Sequence, residues 1–275
     1  MHKNIRNTQR AVTALAWLPD GTGFISGGLD RTIIHWDNEG NIHDKWDESG
    51  IRITDLAITP DLSRLVSVGL QHVPTNEGLT GREVQIGDAA AAGVAAAKTS
   101  ENKMFIYDLT TKQVELSIRL AGDLTGVTIS QDSRFALINH APNEIYLWNL
   151  DAGRLSRKYT GQRQRHHVIR SCFGGFDGNF VASGSEDSNV YIWHRDTGAL
   201  IETLAGHGEG SVNSVAWNPT NHRILASCSD DHTIRIWEAE SRFEGPLLFR
   251  NQRSPRMGTG RTTKGRRGSS GIPMV

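Results

Sequence analysis

Cysteine is scarce: Cys172 and Cys228 are the only two in a chain of 275 residues. Neither has the neighbours of a zinc ligand set, and two thiols make no disulfide framework, so both read as buried structural thiols in strand-like segments. No apolar run approaches the ~18–20 residues that span a bilayer. The first ten residues are polar and basic, unlike a secretory leader. A soluble chain of the cytoplasm, and also of the nucleus, is expected, without membrane contact. Phosphate-cradling glycine loops are missing too, because SGG and SGS lie inside strand-like segments. Adjacent His166 and His167 point to opposite sides of an extended backbone and have no third ligand nearby. Neither a metal nor a cofactor is expected.

An excess of one charge is also lacking, since Lys plus Arg and Asp plus Glu both number 30. The distribution is uneven, however. From Gly245 to Val275 there are six Arg, one Lys and no acid, a basic tail on a mildly acidic body.

What the chain does have is a repeat. SGGLDRTIIHW ends at Trp36, SGSEDSNVYIW at Trp193 and SCSDDHTIRIW at Trp237, while the degenerate NKMFIY and NEIYLW end at Tyr107 and Trp148. Successive spacings are 71, 41, 45 and 44 residues. The first falls into line once the Ala/Gly-rich insert Val73–Glu101 is set aside. A period of about 40–45 residues ending in an aromatic is the mark of one four-stranded propeller blade. The expected fold is an all-β propeller over residues 11–250, with blades at about 11–47, 51–119, 122–160, 167–204 and 211–250. The insert at 73–101 reads as a surface loop, and PLLF (Pro246 to Phe249) as a last edge strand. Residues 251–275 are too polar to offset their ordering entropy and should be disordered. Residues 2–10 make a poor strand.

Within the repeat, blade five places Gly206-His207 before its inner strand, Ser227 on the next strand, Asp231 in the following turn and Trp237 at the end of the third. This set resembles the tetrad of a WD repeat, which implies a buried hydrogen-bond chain from Asp through His and Ser to the Trp indole. Blade four keeps Ser183, Asp187 and Trp193 but has Gln162 for the His. Blade one keeps Ser26, Asp30 and Trp36 with no His. Ser, His and Asp are also the residue types of a hydrolytic triad, but the repeat accounts for them and no enzymatic role is expected. WD-type propellers usually close with seven blades, so five predict a truncated chain lacking about two N-terminal repeats.

Between blades three and four, Gly153 to His167 carries Arg154, Arg157, Lys158, Arg163 and Arg165 and no acid. It reads as a solvated connector or as an anion-reading patch for acidic or phosphorylated peptides. Residues at the starts of inner strands and just before the turn aspartates line the narrow face of a propeller. On that logic Arg52, Thr54, His167, Glu186, Asn213 and Asp230, with Arg163 and Arg165, are the candidate partner contacts.

RKYTGQRQRHHVIRSCFGG (Arg157 to Gly175), followed by SGSEDSNVYIWHRDTG and SVNSVAWNP, resembles the WD-repeat subunit of the GID/CTLH ubiquitin-ligase complex. AVTALAWLPDGTGFISGGLDRTIIHWD and RITDLAITPD are similar to it as well. That resemblance implies a non-enzymatic scaffold that assembles the ligase or recruits its substrates for proteasomal destruction, with ligase subunits and substrates as partners. The family's LisH and CTLH helical segments are missing from this sequence. The alternative is a WD scaffold of another assembly, such as RNA processing, with the basic tail weakly engaging polyanion; no other nucleic-acid contact is expected.

Overall fold

A computed structural model describes residues 10–46, 50–72, 100–239 and the strand at 249–252. These residues form five antiparallel sheets of four strands each, in strict sequence order. Blade one contains β1 (Val12–Trp17), β2 (Gly23–Gly28), β3 (Ile33–Asp37) and β4 (Ile42–Trp46). Blade two contains β5 (Arg52–Ile58), β6 (Arg64–His72), β7 (Ser100–Asp108) and β8 (Val114–Leu120). Blade three is β9 (Asp123–Ile129), β10 (Phe135–Ala141), β11 (Glu144–Asn149) and β12 (Arg154–Thr160). Blade four is β13 (Ser171–Gly174), β14 (Phe180–Gly184), β15 (Asn189–His194) and β16 (Leu200–Ala205). Blade five is β17 (Val212–Trp217), β18 (Ile224–Ser229), β19 (Ile234–Ala239) and β20 (Phe249–Gln252). The fold is a β-propeller arrangement. Among the described residues, no helix is long and apolar enough to cross a membrane.

At each of the four junctions between successive blades, one blade buries a face against the next. The row that ends in the repeat's aromatic residue faces backward. Thus Ile58, Leu65 and Tyr107 of blade two pack on Ala14, Ile25 and Ile33 of blade one. Val127, Ile138 and Trp148 pack on Val66, Met104 and Ile106. Val181 and Trp193 meet Leu137, Ile145 and Leu147, and Val215, Leu225 and Trp237 meet Ala182, Val190 and Ile192. Period-two alternation along each strand supplies both faces.

Polar atoms stitch the inner strands to one another. Thr13 Oγ1 donates to the Ile53 carbonyl at 2.5 Å, and the Val127 N–H donates to Asp55 Oδ2 at 3.0 Å. Thr128 Oγ1 donates to the Ser171 carbonyl at 3.0 Å, and the Arg170 N–H to the Asn213 carbonyl at 3.3 Å. An inner strand has a sheet neighbour on one side only, so its remaining buried polar groups need partners of this kind.

Several expectations change. Arg154–Thr160 is the outer strand of blade three rather than loop, because it pairs with β11 from Glu144↔Thr160 to Asn149↔Arg154. The inner strand of blade four begins at Ser171, so His167 precedes it by a whole segment. The last strand runs over Phe249–Gln252 rather than Pro246–Phe249, in register with Trp237↔Asn251. That pairing carries sheet past residue 251, where disorder was expected to start. Cys228 is exposed rather than buried, since it lies in the outward row of β18 beside Ile234. Cys172 is partly buried, with its thiol pushed up by burial to about 12. The sheet resumes two residues earlier than expected, at Ser100, because His72 pairs with Ser100. The expectations for residues 2–9, for the insert at 73–99 and for the tail beyond 252 lie outside the described residues.

Candidate functional site

Inner strands begin, and second strands end, on one rim of the propeller. There Glu186, two residues past the end of β14, accepts with Oε1 from three successive backbone N–H groups, those of Arg165, His166 and His167. Burial works against the ionised carboxyl, but these donors and the His167 ring outweigh it and hold its pKa at about 2. His167 Nδ1 lies 3.3 Å from the same oxygen, while Nε2 lies 4.0 Å from Asp230 Oδ2 of blade five. Asp230 in turn accepts from Asn213 Nδ2 at 2.6 Å. Four of the eight sequence candidates, His167, Glu186, Asn213 and Asp230, therefore form one cluster across blades four and five.

Of the remaining four, Arg165 joins that hydrogen-bond chain through its backbone N–H alone, and the other three sit apart from it. Arg163 and Arg165 project from the loop before blade four and are exposed. The loop itself is pinned on both sides. Arg163 N–H donates to Ser185 Oγ at 2.9 Å, and Gln164 N–H donates to Asn143 Oδ1 at 2.8 Å. Gln164 Nε2 also reaches Thr125 Oγ1 at 2.9 Å. Arg52 and Thr54 belong to blade two, where Thr54 falls in the register shift between Ile53 and Asp55. Similar shifts fall at Thr13 in β1 and at Asn213 in β17. A β-bulge at the head of an inner strand re-aims the side chain it carries.

Sequence reasoning missed Asp55 and Arg170. Arg170 NH1 reaches Asp55 Oδ2 at 2.8 Å, and the same oxygen holds the Val127 N–H, tying blades two, three and four together. Burial raises the Asp55 pKa, against the lowering effect of Val127 and Arg170. By strand register, with Ser171↔Ser183 matching Leu56↔Ser67 and Val215↔Ser227, Arg170 stands where Asp55 and Ser214 stand in their blades.

The tetrads differ from blade to blade. In blade five, His207 Nδ1 lies 2.9 Å from Asp231 Oδ2 and Nε2 lies 2.7 Å from Ser227 Oγ, which accepts from the Trp237 indole at 2.8 Å. Burial opposes the Asp231 charge, but Thr233, the Gly208 N–H and His207 outweigh it and lower its pKa. The His207 side chain has no solvent exposure, so this Ser, His and Asp offer a substrate no approach. In blade one the Trp36 indole donates to Ser26 Oγ at 2.8 Å, and Asp30 holds Thr32. Blade four departs from a tetrad altogether. Trp193 donates to the Thr160 carbonyl, Ser183 to the Gly184 carbonyl, and Asp187 takes the Tyr191 hydroxyl at 2.7 Å. Gln162 is buried with neither amide atom partnered. Without an imidazole to span the gap, Asp187 and Ser183 bind locally instead. Among the described residues, no three His, Cys, Asp or Glu side chains converge as a metal site would need.

The WD domain, G-beta repeat family matches residues 2–37, 153–194 and 198–238. The chain is a WD-repeat protein. Its WD repeats are 37% identical over 227 residues to GID complex subunit 7 of Schizosaccharomyces pombe, covering 82% of this chain and 40% of that protein. They are 40% identical over 236 residues to a WD repeat-containing protein WDS homolog of Arabidopsis thaliana, covering 84% and 39%. A WD repeat-containing protein 26 homolog of the same plant is 40% identical over 223 residues, covering 80% and 32%. The chain thus spans 40% or less of the length of these relatives.

Proposed function

We propose that this WD-repeat chain is a non-enzymatic docking scaffold of a GID-type ubiquitin ligase, presenting substrates to it or holding its subunits, in the cytoplasm and nucleus. The observation that carries the reading is the similarity to GID complex subunit 7 across 227 residues, 82% of this chain. The geometry supports it. Glu186, Ser185 and Asn143 fix the loop backbone, leaving Arg163, Arg165, His166 and His167 presented to solvent on a rigid frame. Surfaces ordered before contact lose less entropy on binding. The side chains with catalytic potential in blade five are consumed by the Trp237 network.

The test is purification of the tagged full-length protein from its own cells, followed by identification of what accompanies it. RING and LisH/CTLH ligase subunits are expected. Their absence, with folded protein recovered, would sink the assignment.

A further inference from the structure

In blades one to four the outer strand slips its register opposite the repeat's aromatic residue, and in blade three the slip has a chemical result. Leu147 pairs with Arg157 and Trp148 with Leu155, so Ser156 is the extra residue. Residues three apart on a regular strand face opposite ways. The bulge puts Arg154 and Arg157 on one face instead, opposite Asn149 and Leu147. That face meets blade four. The Tyr159 hydroxyl in the same row donates to the Arg195 carbonyl at 2.6 Å, and Arg157 Nε donates to the Asp196 carbonyl at 2.5 Å. Between the two blades opens a cleft of about 350 Å³, floored by Phe135, Leu147 and Leu155 and edged by Arg154 and Arg157. It lies where β10 begins and β11 ends, on the opposite rim from Glu186.

The fold does not require these cations. Positions equivalent to Arg157 hold Asp44, Leu116 and Glu202, and those equivalent to Arg154 hold Asn41, Gln113 and Ala199. The equivalents are also accommodated within the chain. Asp44 is paired with Lys112, from the left-handed turn of blade two. Leu116 lies under Gly153, with Cδ2 3.0 Å from where a side chain there would start. Over Arg157 the same turn position is Gly198, where a Cβ would meet Arg157 Cδ at 3.9 Å. Among the described residues neither Arg154 nor Arg157 has an ion pair, because Asp196 takes Arg195 at 2.8 Å and Asp151 takes Arg64 and Arg134. Two uncompensated guanidiniums beside an apolar floor match a dianion carried on an apolar body. A phosphate monoester has about −1.5 to −2 charges near pH 7 and three acceptor oxygens, which paired arginines meet with charge-assisted hydrogen bonds. We infer that this cleft binds a phosphate monoester on an aromatic or aliphatic body, either a free small molecule or a phosphorylated side chain of a partner.

The test is isothermal titration calorimetry of the full chain with phenyl phosphate, in phosphate-free buffer near neutral pH. Saturable one-to-one binding is expected. Benzoate lacks the second charge and inorganic phosphate lacks the apolar body, so each should bind about tenfold more weakly or worse. Arg154→Ser and Arg157→Gln, both at exposed side chains, should each weaken binding by about tenfold with little change in urea midpoint. Gly198→Glu sets a countercharge where Lys112 serves Asp44 and should abolish binding. Lys112 itself holds φ 62 at the equivalent position, so a side chain is accommodated there. Arg119→Gln, on the outer strand of blade two, should change nothing. Absence of saturable binding, equal affinity for benzoate, or an equal loss in Arg119→Gln would overturn the inference. A phosphotyrosine peptide that binds more tightly than phenyl phosphate assigns the cleft to a phosphorylated partner, and one that does not assigns it to a free ligand; either result supports the cleft. None of these measurements involves ligase subunits, so the scaffold reading stands or falls separately.

Discussion

The carboxylate of Glu186 and the backbone N–H of His166 meet at 2.6 Å, and the same oxygen serves Arg165 at 2.8 Å and His167 at 2.9 Å. Three donors converging on one oxygen form a nest, a concavity that stabilises negative charge. The acid belongs to blade four and the donors to the loop arriving from blade three, so one side chain sets the shape of the exposed cationic rim.

The Glu186 pKa lies at about 2 rather than the ordinary 4.5. A folded-state value below the unfolded one means that ionised Glu186 stabilises the native chain above pH 4.5. That contribution is lost as pH falls from there toward 2. Wild type and Glu186→Gln should differ by about 1–2 kcal/mol near neutrality and converge in acid. Urea unfolding across pH measures this; a gap that stays constant with pH contradicts it. Amide exchange at 165–167 should quicken in the variant.

Ser227 and Ser183 occupy the same repeat position and should respond very differently. Ser227→Ala strands the Trp237 indole and the inner nitrogen of His207, at a cost of about 2–4 kcal/mol. Ser183→Ala removes a single bond to the Gly184 carbonyl and should cost about 1 kcal/mol or less. Equal shifts in urea midpoint would refute the distinction.

Gln162 invites replacement. With both amide atoms buried and unpartnered, Gln162→Met removes a desolvation cost at similar volume. The variant should be neutral or up to about 1 kcal/mol more stable. A clear loss in midpoint at unchanged slope would show that the amide has a partner.

Asp55 and Arg170 should be unequal as well. The Asp55 side chain is 5% exposed and that of Arg170 is 52%. Arg170→Ala leaves a buried carboxylate short of its countercharge and should cost about 1–3 kcal/mol, discounted because the arginine is half in water. Asp55→Asn keeps an acceptor for Val127 and should cost less. Since burial raises the Asp55 pKa above 3.8, the ionised form is the less favoured one when folded. The penalty in Arg170→Ala should therefore ease as pH falls through that raised value toward 3.8. A penalty that grows in acid would be decisive against this account.

The repeat was legible because Trp36, Trp193 and Trp237 recur with an aspartate six residues earlier, and the same spacing located all five sheets. The blade-five tetrad residues were identifiable for the same reason. Blade four was not. Its Ser183, Asp187 and Trp193 are the repeat's residues, yet Tyr191 captures Asp187 and Thr160 captures the indole, competition that a motif cannot express. The site was half readable. His167 was assigned to the head of an inner strand, and it reaches the rim from a loop instead. Glu186, picked as a contact, spends one oxygen on the backbone. Asp55 and Arg170 stand 115 positions apart, a separation at which pairing leaves no local trace.

Blade two has a hairpin longer than any other in the propeller: β6 and β7 are nine residues each, where the central strands of the other blades have five to seven. At about 3.3 Å per residue, the surplus carries the paired ends of β6 and β7, at His72 and Ser100, further than the central strands of the other blades reach. A tag or fluorophore inserted between His72 and Ser100 enters the chain at blade two, away from the His167–Asp230 contact that joins blades four and five, so the protein can be tethered there without altering that contact.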